Sequence, residues 1–483
     1  MSESWVNSPW VDSAQRIGAD LHLRLTEPGS RQSALTRALR EAVREGRLAP
    51  GTRLPPYRSL AADLGIARNT VACAYAELVA EGWLTARQGS GTRVAERAAP
   101  PKPVRVPKRA PAPARGPAHD LRPGQPDASS FPRTAWLAAS RRALNAAPHE
   151  AFGPGDPQGR IELRTALAEY LARARGVRTN PDRIVICSGF AHALQLLFGT
   201  DGPGRGVLRG PLAVESYGLG FHRTLLQRAG VRTIPLEIDE KGADVREAFS
   251  HPRLRAALLT PAHQFPTGGP LHPSRRTAAI DWARERGGLL LEDDYDGEFR
   301  YDREPVGAVQ GLDPERVLYL GSVSKSLSPA LRLGWMILPE HLIAAALDIK
   351  GEREAWASAL DQLTLAEFIA SGQYDRHIRR MRQHYRRRRD QLRTTLAEHA
   401  PHIQITGIAA GLHAVLRLPA GTEPTTLKAA SWQGLALEGL NAFRHPEAST
   451  PAPDGLVVGY ATPPDHAYGA ALETLCRTLP PPR

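Results

Sequence analysis

The sequence predicts a multidomain chain: a small α+β winged helix-turn-helix, a linker, and a large α/β domain. Three observations carry this. Residues 1–95 show strong helical periodicity followed by a Gly-rich hairpin. Residues 96–120 read ERAAPPKPVRVPKRAPAPARGPAHD, with six basic residues and no large apolar cluster, the composition of a semi-rigid tether. Residues 121–483 are long enough for a large α/β unit.

Taken in order, Ser33 to Glu45 reads as a helix, with Leu35, Ala38, Leu39, Ala42 and Val43 at 3–4 spacing and Gly46 to end it. After the turn at Leu54-Pro55-Pro56, Arg58 to Leu64 is a short second helix stopped by Gly65. Arg68 to Glu81 is a third, with Val71, Ala74, Tyr75, Leu78 and Val79 on one face. Its first turn carries Arg68, Asn69 and Thr70, residue types that reach base edges and phosphates in a major groove. Strands Trp83–Ala86 and Thr92–Ala95 then flank a Gly-rich wing, where Arg87 can reach a phosphate or the minor groove.

Composition narrows the function. The net charge is +12, which favours anionic partners, nucleic acid first. Only six residues are Lys, so each lysine stands out against an Arg-rich background. Cys73, Cys187 and Cys476 are odd in number and far apart, which argues against disulfides and a zinc cluster. We expect no metal, and reduced thiols in a cytoplasmic protein. The first ten residues do not read as a signal peptide, and no apolar stretch is long enough to span a membrane.

The chemistry of the large region centres on two segments. Gly288-Leu289-Leu290-Leu291-Glu292-Asp293-Asp294-Tyr295 is an apolar run ending in carboxylates and a phenol, and ligands bind at the carboxyl ends of strands in open α/β sheets. About thirty residues on, Ser322-Val323-Ser324-Lys325 places a lysine after two serines and seven residues before Arg332. Pyridoxal 5'-phosphate (PLP) needs these groups: an amine for a Schiff base, a carboxylate on the ring nitrogen, a phenol donor for the 3'-oxygen, and hydroxyls with an arginine for the phosphate. Asp293, Tyr295, Ser322, Ser324, Lys325 and Arg332 supply them.

Two resemblances then follow. The run GTRLPPYRSLAADLGIARNTVACAYAELVAEGWLTARQGSGTRV, residues 51–94, resembles the GntR-type winged-helix signature. That likeness implies operator contacts by Arg58, Arg68, Thr70 and Gly91. Most of residues 121–480 resemble fold-type I aminotransferases, through Ala151 to Gly159, Leu163-Arg164, Arg175-Gly176, Ile184 to Gly189, Val214 to Tyr217 and Thr260 to Gly268. The His-Gln-Phe-Pro-Thr-Gly form of the last segment, with the GntR module, is similar to the MocR/GabR family of regulators. The resemblance implies a PLP-dependent transferase-like fold and a head-to-tail homodimer acting on double-stranded operator DNA. It implies Lys325 as the Schiff-base lysine, Asp293 on the ring nitrogen with Asp294 as its competitor, and Tyr295 on the 3'-oxygen. It further implies Tyr217 stacked on the ring, and Ser322, Ser324, Arg332 and Gly189 with its neighbours on the phosphate.

Three departures from the aminotransferase pattern bear on function. Phe190, Ala191 and His192 stand after Gly189, where polar side chains are usual, leaving backbone N–H groups to hold phosphate. Phe265 replaces an asparagine near the 3'-oxygen, leaving His263 or Gln264 to take its part. Val457, in Gly455-Leu456-Val457-Val458-Gly459-Tyr460, stands where catalytic members carry the arginine that binds the substrate carboxylate. Arg223 and Arg444 could compensate, or be surface or ion-pair arginines; His413 could face the cavity, or be a satisfied core histidine. The expectation is a regulator that senses PLP itself, or an amine or amino acid condensing with it, with a working aminotransferase carrying a DNA-binding appendage as the alternative. Full transaminase turnover is not expected.

Overall fold

In a computed structural model, the structure describes residues 30–87, 91–96, 117–200, 202, 204–301, 306–351, 357–451 and 453–482. The chain divides into two compact units, Met1–Ala114 and Arg115–Arg483. This boundary falls inside the expected linker, of which residues 97–116 lie outside the described residues.

The smaller unit folds as helices α1 (Arg31–Arg44), α2 (Tyr57–Leu64) and α3 (Arg68–Ala80), then strands β1 (Leu84–Arg87) and β2 (Gly91–Val94). Ser30 begins α1 by accepting a hydrogen bond from the Ser33 amide at 3.2 Å. Gly65 ends α2 in the left-handed region, which lets the chain turn at once toward α3. Leu35, Leu39 and Ala42 of α1 pack with Leu60, Val71, Ala74, Tyr75 and Leu78 into one core, closed from the hairpin side by Leu84 and Val94. Those last two residues face each other across the antiparallel pair, which sets each wing strand one residue away from its expected span. The wing tip, Gln88-Gly89-Ser90, lies outside the described residues.

The larger unit is built on a seven-stranded sheet. Its strands are β3 (Ile184–Cys187), β4 (Leu212–Glu215), β5 (Thr233–Leu236), β6 (Ala256–Leu259), β7 (Leu289–Asp293), β8 (Val317–Ser322) and β9 (Gly334–Ile337), in the order β3-β9-β8-β7-β6-β4-β5. The pairs are parallel except those of β9, which runs antiparallel to both neighbours. The strands read as unbroken apolar runs because both faces are covered. Leu318 and Leu320 of β8 join one core, while Tyr319 joins another and Val317 a third. The first of these is closed by helix α4 (Phe190–Phe198), which contributes Leu194, Leu196 and Leu197.

Past a 27-residue helix, α5 (Gln373–His399), the chain forms a second, antiparallel sheet. Its strands are β10 (Gln404–Thr406), β11 (His413–Arg417), β12 (Glu438–Gly439) and β13 (Gly455–Gly459), ordered β10-β11-β13-β12.

Candidate ligand site at the carboxyl edge of the central sheet

Strands β4, β7 and β8 end at one edge of the sheet in Glu215, Asp293 and Ser322. These ends open on a cavity of about 450 Å³, also lined by Phe190, Ala191, Tyr217, Tyr295, Ser324, Lys325 and Arg332. That volume lies within the range of about 300–1,000 Å³ usual for small-molecule sites.

One end of the cavity is built to take an anion. Gly189 immediately precedes α4 with φ 92°, a conformation that favours glycine, so the first turn of the helix starts at the wall. Arg332, itself left-handed at φ 52°, donates to the carbonyl of Ser188. A Cβ on Gly189 would meet its guanidinium at 3.6 Å, and a Cβ on Gly334 would come within 2.7 Å of Gly189 Cα. Gly189 therefore needs glycine for its positive φ, and Gly334 for the space beside it. Ser322 and Ser324 sit on the same wall.

Lys325 lies between this cup and the carboxylates, its ammonium donating to the Gly124 carbonyl. Burial lowers its pKa, and the charges of Asp293 and Asp296 oppose that shift. Burial likewise pushes the Asp293 carboxyl well above the usual range, reinforced by the charge of Asp294.

The two adjacent acids part company here. Asp294 faces away from the cavity and accepts from Arg175 at 2.6 and 3.0 Å and from the Tyr319 hydroxyl at 2.6 Å. Its carboxylate is spent on a buried ion pair.

Three other expected residues occupy supporting places. Gln264 donates to Glu215 at 3.2 Å and to the carbonyls of Tyr217 and Phe265 at 3.0 and 2.6 Å, bracing the loop behind the wall. His263 lies behind Tyr295, and its Nδ1 stands 3.0 Å from the phenol oxygen. His413 does line the cavity, but its Nε2 is hydrogen-bonded to the Pro266 carbonyl at 3.0 Å and burial pushes its pKa down to about 3. It is a neutral, satisfied ring.

Both arginines named as substitutes for Val457 are engaged with backbone carbonyls, though the Arg444 Nε has no hydrogen-bond partner among the described residues. Arg223 reaches the wall but donates to the carbonyls of Gly218, Phe443 and Arg444 at 2.8, 3.1 and 3.2 Å. Arg444 donates to the carbonyls of Ala448 and Thr450 at 2.5 and 2.7 Å. Val457 is fully buried against Phe265, Val415, Leu440 and Phe443, with Tyr217 and Tyr295 packed on this cluster.

Sequence reasoning missed Gly124 and Gln125, which close the cavity from a segment remote in sequence, and the pair Phe221 and His222. The His222 ring lies 4.6 Å from Phe190, and burial pushes its pKa down to about 4. No periodicity marked them, because Tyr217 lies outside the helix Gly220–Arg228 that carries both.

In the smaller unit, Arg58, Arg68, Asn69, Arg87 and Gly91 are exposed and Thr70 is half-buried. Arg68 opens α3, so its side chain and that of Asn69 lie at the amino end of the helix, outside the core.

Residues 31–94 match the bacterial regulatory proteins of the gntR family, and residues 120–452 match aminotransferase class I and II. The pyridoxine biosynthesis transcriptional regulator PdxR of Corynebacterium glutamicum is 36% identical over 450 residues, 92% of this chain and 95% of that one. The probable rhizopine catabolism regulatory protein MocR of Rhizobium meliloti is 32% identical, covering 88% of each chain. Among solved structures, an archaeal alanine:glyoxylate aminotransferase superposes with a TM-score of 0.67 at 21% identity, over 75% of this chain and 90% of that one. At that identity the likeness establishes the fold of the larger unit and no more. A winged helix and an aminotransferase-like body in one chain, aligned nearly end to end with known regulators, make this protein a member of the MocR/GabR family of transcription regulators.

Proposed function

We propose that the cavity holds PLP and that the cofactor itself is the signal by which this regulator controls vitamin B6 supply. The donor set fits the group. Lys325 offers the amine, Asp293 a carboxylate for the ring nitrogen and Tyr295 a phenol for the 3'-oxygen, with Tyr217 against the ring face. Ser322, Ser324, Arg332 and the backbone N–H groups at Gly189, Phe190 and Ala191 would hold the phosphate. Bound there, PLP supplies an aldehyde for a primary amine and a ring that withdraws electrons. Its phosphate would give Arg332 a counter-charge, and its ring nitrogen would give Asp293 a partner.

The observation that carries the choice of signal is the absence of a free cation for a substrate carboxylate. Among the described residues, the cavity wall offers Lys325, Arg332 and Arg223, and the last is held by three carbonyls. Val457 puts an apolar patch where the alternative, a working aminotransferase, needs a guanidinium. The relative in Corynebacterium glutamicum is named for control of pyridoxine biosynthesis, which agrees with this reading.

On this reading the protein is cytoplasmic and works as a head-to-tail homodimer. Arg58, Arg68, Asn69, Thr70, Arg87 and Gly91 of two winged helices would meet paired half-sites on DNA. PLP acts by preferring one arrangement of the two heads over another. Fluorescence anisotropy of DNA from the gene's own upstream region, titrated with ligand-free and with PLP-loaded protein, tests it. A change in affinity or stoichiometry with PLP alone is expected. Identical curves that separate only when an amine or amino acid is added would make PLP a fixed tool rather than the signal.

A further inference from the structure

Tyr295 has a second set of partners on the side away from the cavity. The His263 Nδ1 stands 3.0 Å from the phenol oxygen and 2.8 Å from Asp296 Oδ2. Both side chains are withdrawn from water, His263 3% and Asp296 1% exposed. One nitrogen thus meets two oxygens. An ionised carboxylate can only accept, so the nitrogen between them carries a hydrogen, and the phenol oxygen can only share it as a second acceptor. The Asp296 carboxylate also lies within hydrogen-bonding reach of the phenol, so the imidazole hydrogen and the phenol hydrogen compete for it, and the imidazole's claim releases the phenol's own hydrogen.

We infer that Asp296 and His263 are positioning residues that aim the Tyr295 hydroxyl: the carboxylate fixes the imidazole as its Nδ1–H form, the imidazole donates to the phenol oxygen, and the phenol is left to donate into the cavity. The inference rests on the reading of the cavity as a PLP site, where the atom receiving that donation is the cofactor's 3'-oxygen. The arrangement matters because the neighbouring wall gives no help. Phe265, edge-on to Tyr295 with ring centroids 5.9 Å apart, has no polar side-chain atom to offer.

The surrounding charges keep the phenol a donor. Burial first, then the charges of Asp296 and Asp293, a hydrogen bond to Asp296 and the charge of Glu215 push the Tyr295 pKa well above its ordinary value. The neutral His413 ring lies 5.1 Å from His263 on the side of β11. Lys325 acts across the cavity on Asp293 and Asp296. Arg175 and Arg300 border the small hollow that His263 and Asp296 share. Without the imidazole, the Asp296 carboxylate is the acceptor that would draw the phenol's hydrogen away from the cavity.

The test reads the pH midpoint at which the visible absorbance of the PLP-loaded protein changes. A donor on the 3'-oxygen draws off negative charge that would otherwise favour the protonated nitrogen at the lysine link, so losing the donor raises the midpoint. Tyr295→Phe should raise it by roughly one pH unit, a tenfold change in proton affinity. His263→Leu should move it in the same direction. His263→Asn, whose amide can set an N–H where Nδ1 stands, should stay near the parent value. In the Tyr295→Phe background, His263→Leu should add nothing. A His263→Leu midpoint equal to the parent's, or a shift that persists undiminished without the phenol, overturns the inference. Borohydride capture of PLP at Lys325 is followed in parallel. If the unsubstituted protein shows no capture, the cofactor reading itself fails. Intact capture with an unmoved midpoint defeats only the role of His263 and Asp296.

Discussion

Replacing Asp294 with alanine takes the bidentate carboxylate from the Arg175 guanidinium, leaving it buried with the Val306 carbonyl at 3.0 Å and the charge of Glu298 acting on it. The lost pair is deeply enclosed, with side-chain exposures of 2% and 1%. Removing one member of such a pair strands a buried charge and costs about 3–5 kcal/mol. For a unit of this size that corresponds to a melting temperature lower by roughly 4–6 °C. Asp293→Ala should do the opposite. Burial raises the Asp293 pKa in the folded protein above its unfolded value of 3.8, so folding takes up a proton between those two values and stability falls as pH rises through them. At neutral pH the acid is a cost in the ligand-free protein, and alanine relieves it. Function should divide the other way, with PLP binding surviving at Asp294→Ala and failing at Asp293→Ala. Thermal melting of the ligand-free variants at pH 7, with borohydride capture of PLP near 10 °C, separates the two. The reasoning is refuted if Asp294→Ala melts with the parent, or if it loses PLP while Asp293→Ala retains it.

Glu215 offers a pH test, because burial raises its pKa from 4.5 to about 7 despite donation from Thr260 at 2.5 Å. The stability this contributes, about 3 kcal/mol, is present in full below pH 4.5 and is lost as pH rises through about 7. Glu215→Gln should therefore flatten the melting temperature across that window in the ligand-free protein, and an unchanged slope would place the proton uptake elsewhere. Lys325→Ala should abolish borohydride-reducible capture of PLP; a surviving adduct would assign the amine to another lysine. Arg68→Ala should weaken operator binding by about 1–3 kcal/mol in anisotropy titrations, and an unaltered affinity would remove it from the DNA contact.

The smaller unit was nearly all legible, because its helices are amphipathic and its breaks fall at Gly65 and Gly82, both with positive φ. In the larger unit the acidic strand end and the lysine loop pointed to one wall of the cavity, since each lies within a continuous stretch of sequence. What sequence could not weigh was the choice between neighbours. Asp293 and Asp294 have the same chemistry, and only the position of Arg175 and Tyr319 divides them. Arg223 and Arg444 looked available because carbonyl partners leave no trace in residue types. Phe221, His222 and Gly124 escaped because they lie outside the matched motifs, the first two in the opening turn of the helix Gly220–Arg228, and only the folded chain brings them to the cavity.

The reversed direction of β9 has a consequence for when a binding site can exist. Because β9 runs opposite to β3, its first residue lies beside the last of β3, Gly334 facing Cys187. The two halves of the anion cup therefore meet across a loop of 144 positions, Ser188 to Arg332, closed by only four facing residue pairs. The cup thus depends on contacts between segments far apart in sequence. A ligand gripping both halves binds only the closed sheet, and by mass action its concentration adds to the sheet's stability. If PLP is that ligand, as proposed, its abundance would set how much competent regulator survives in the cell, before any question of how tightly that regulator holds its operator.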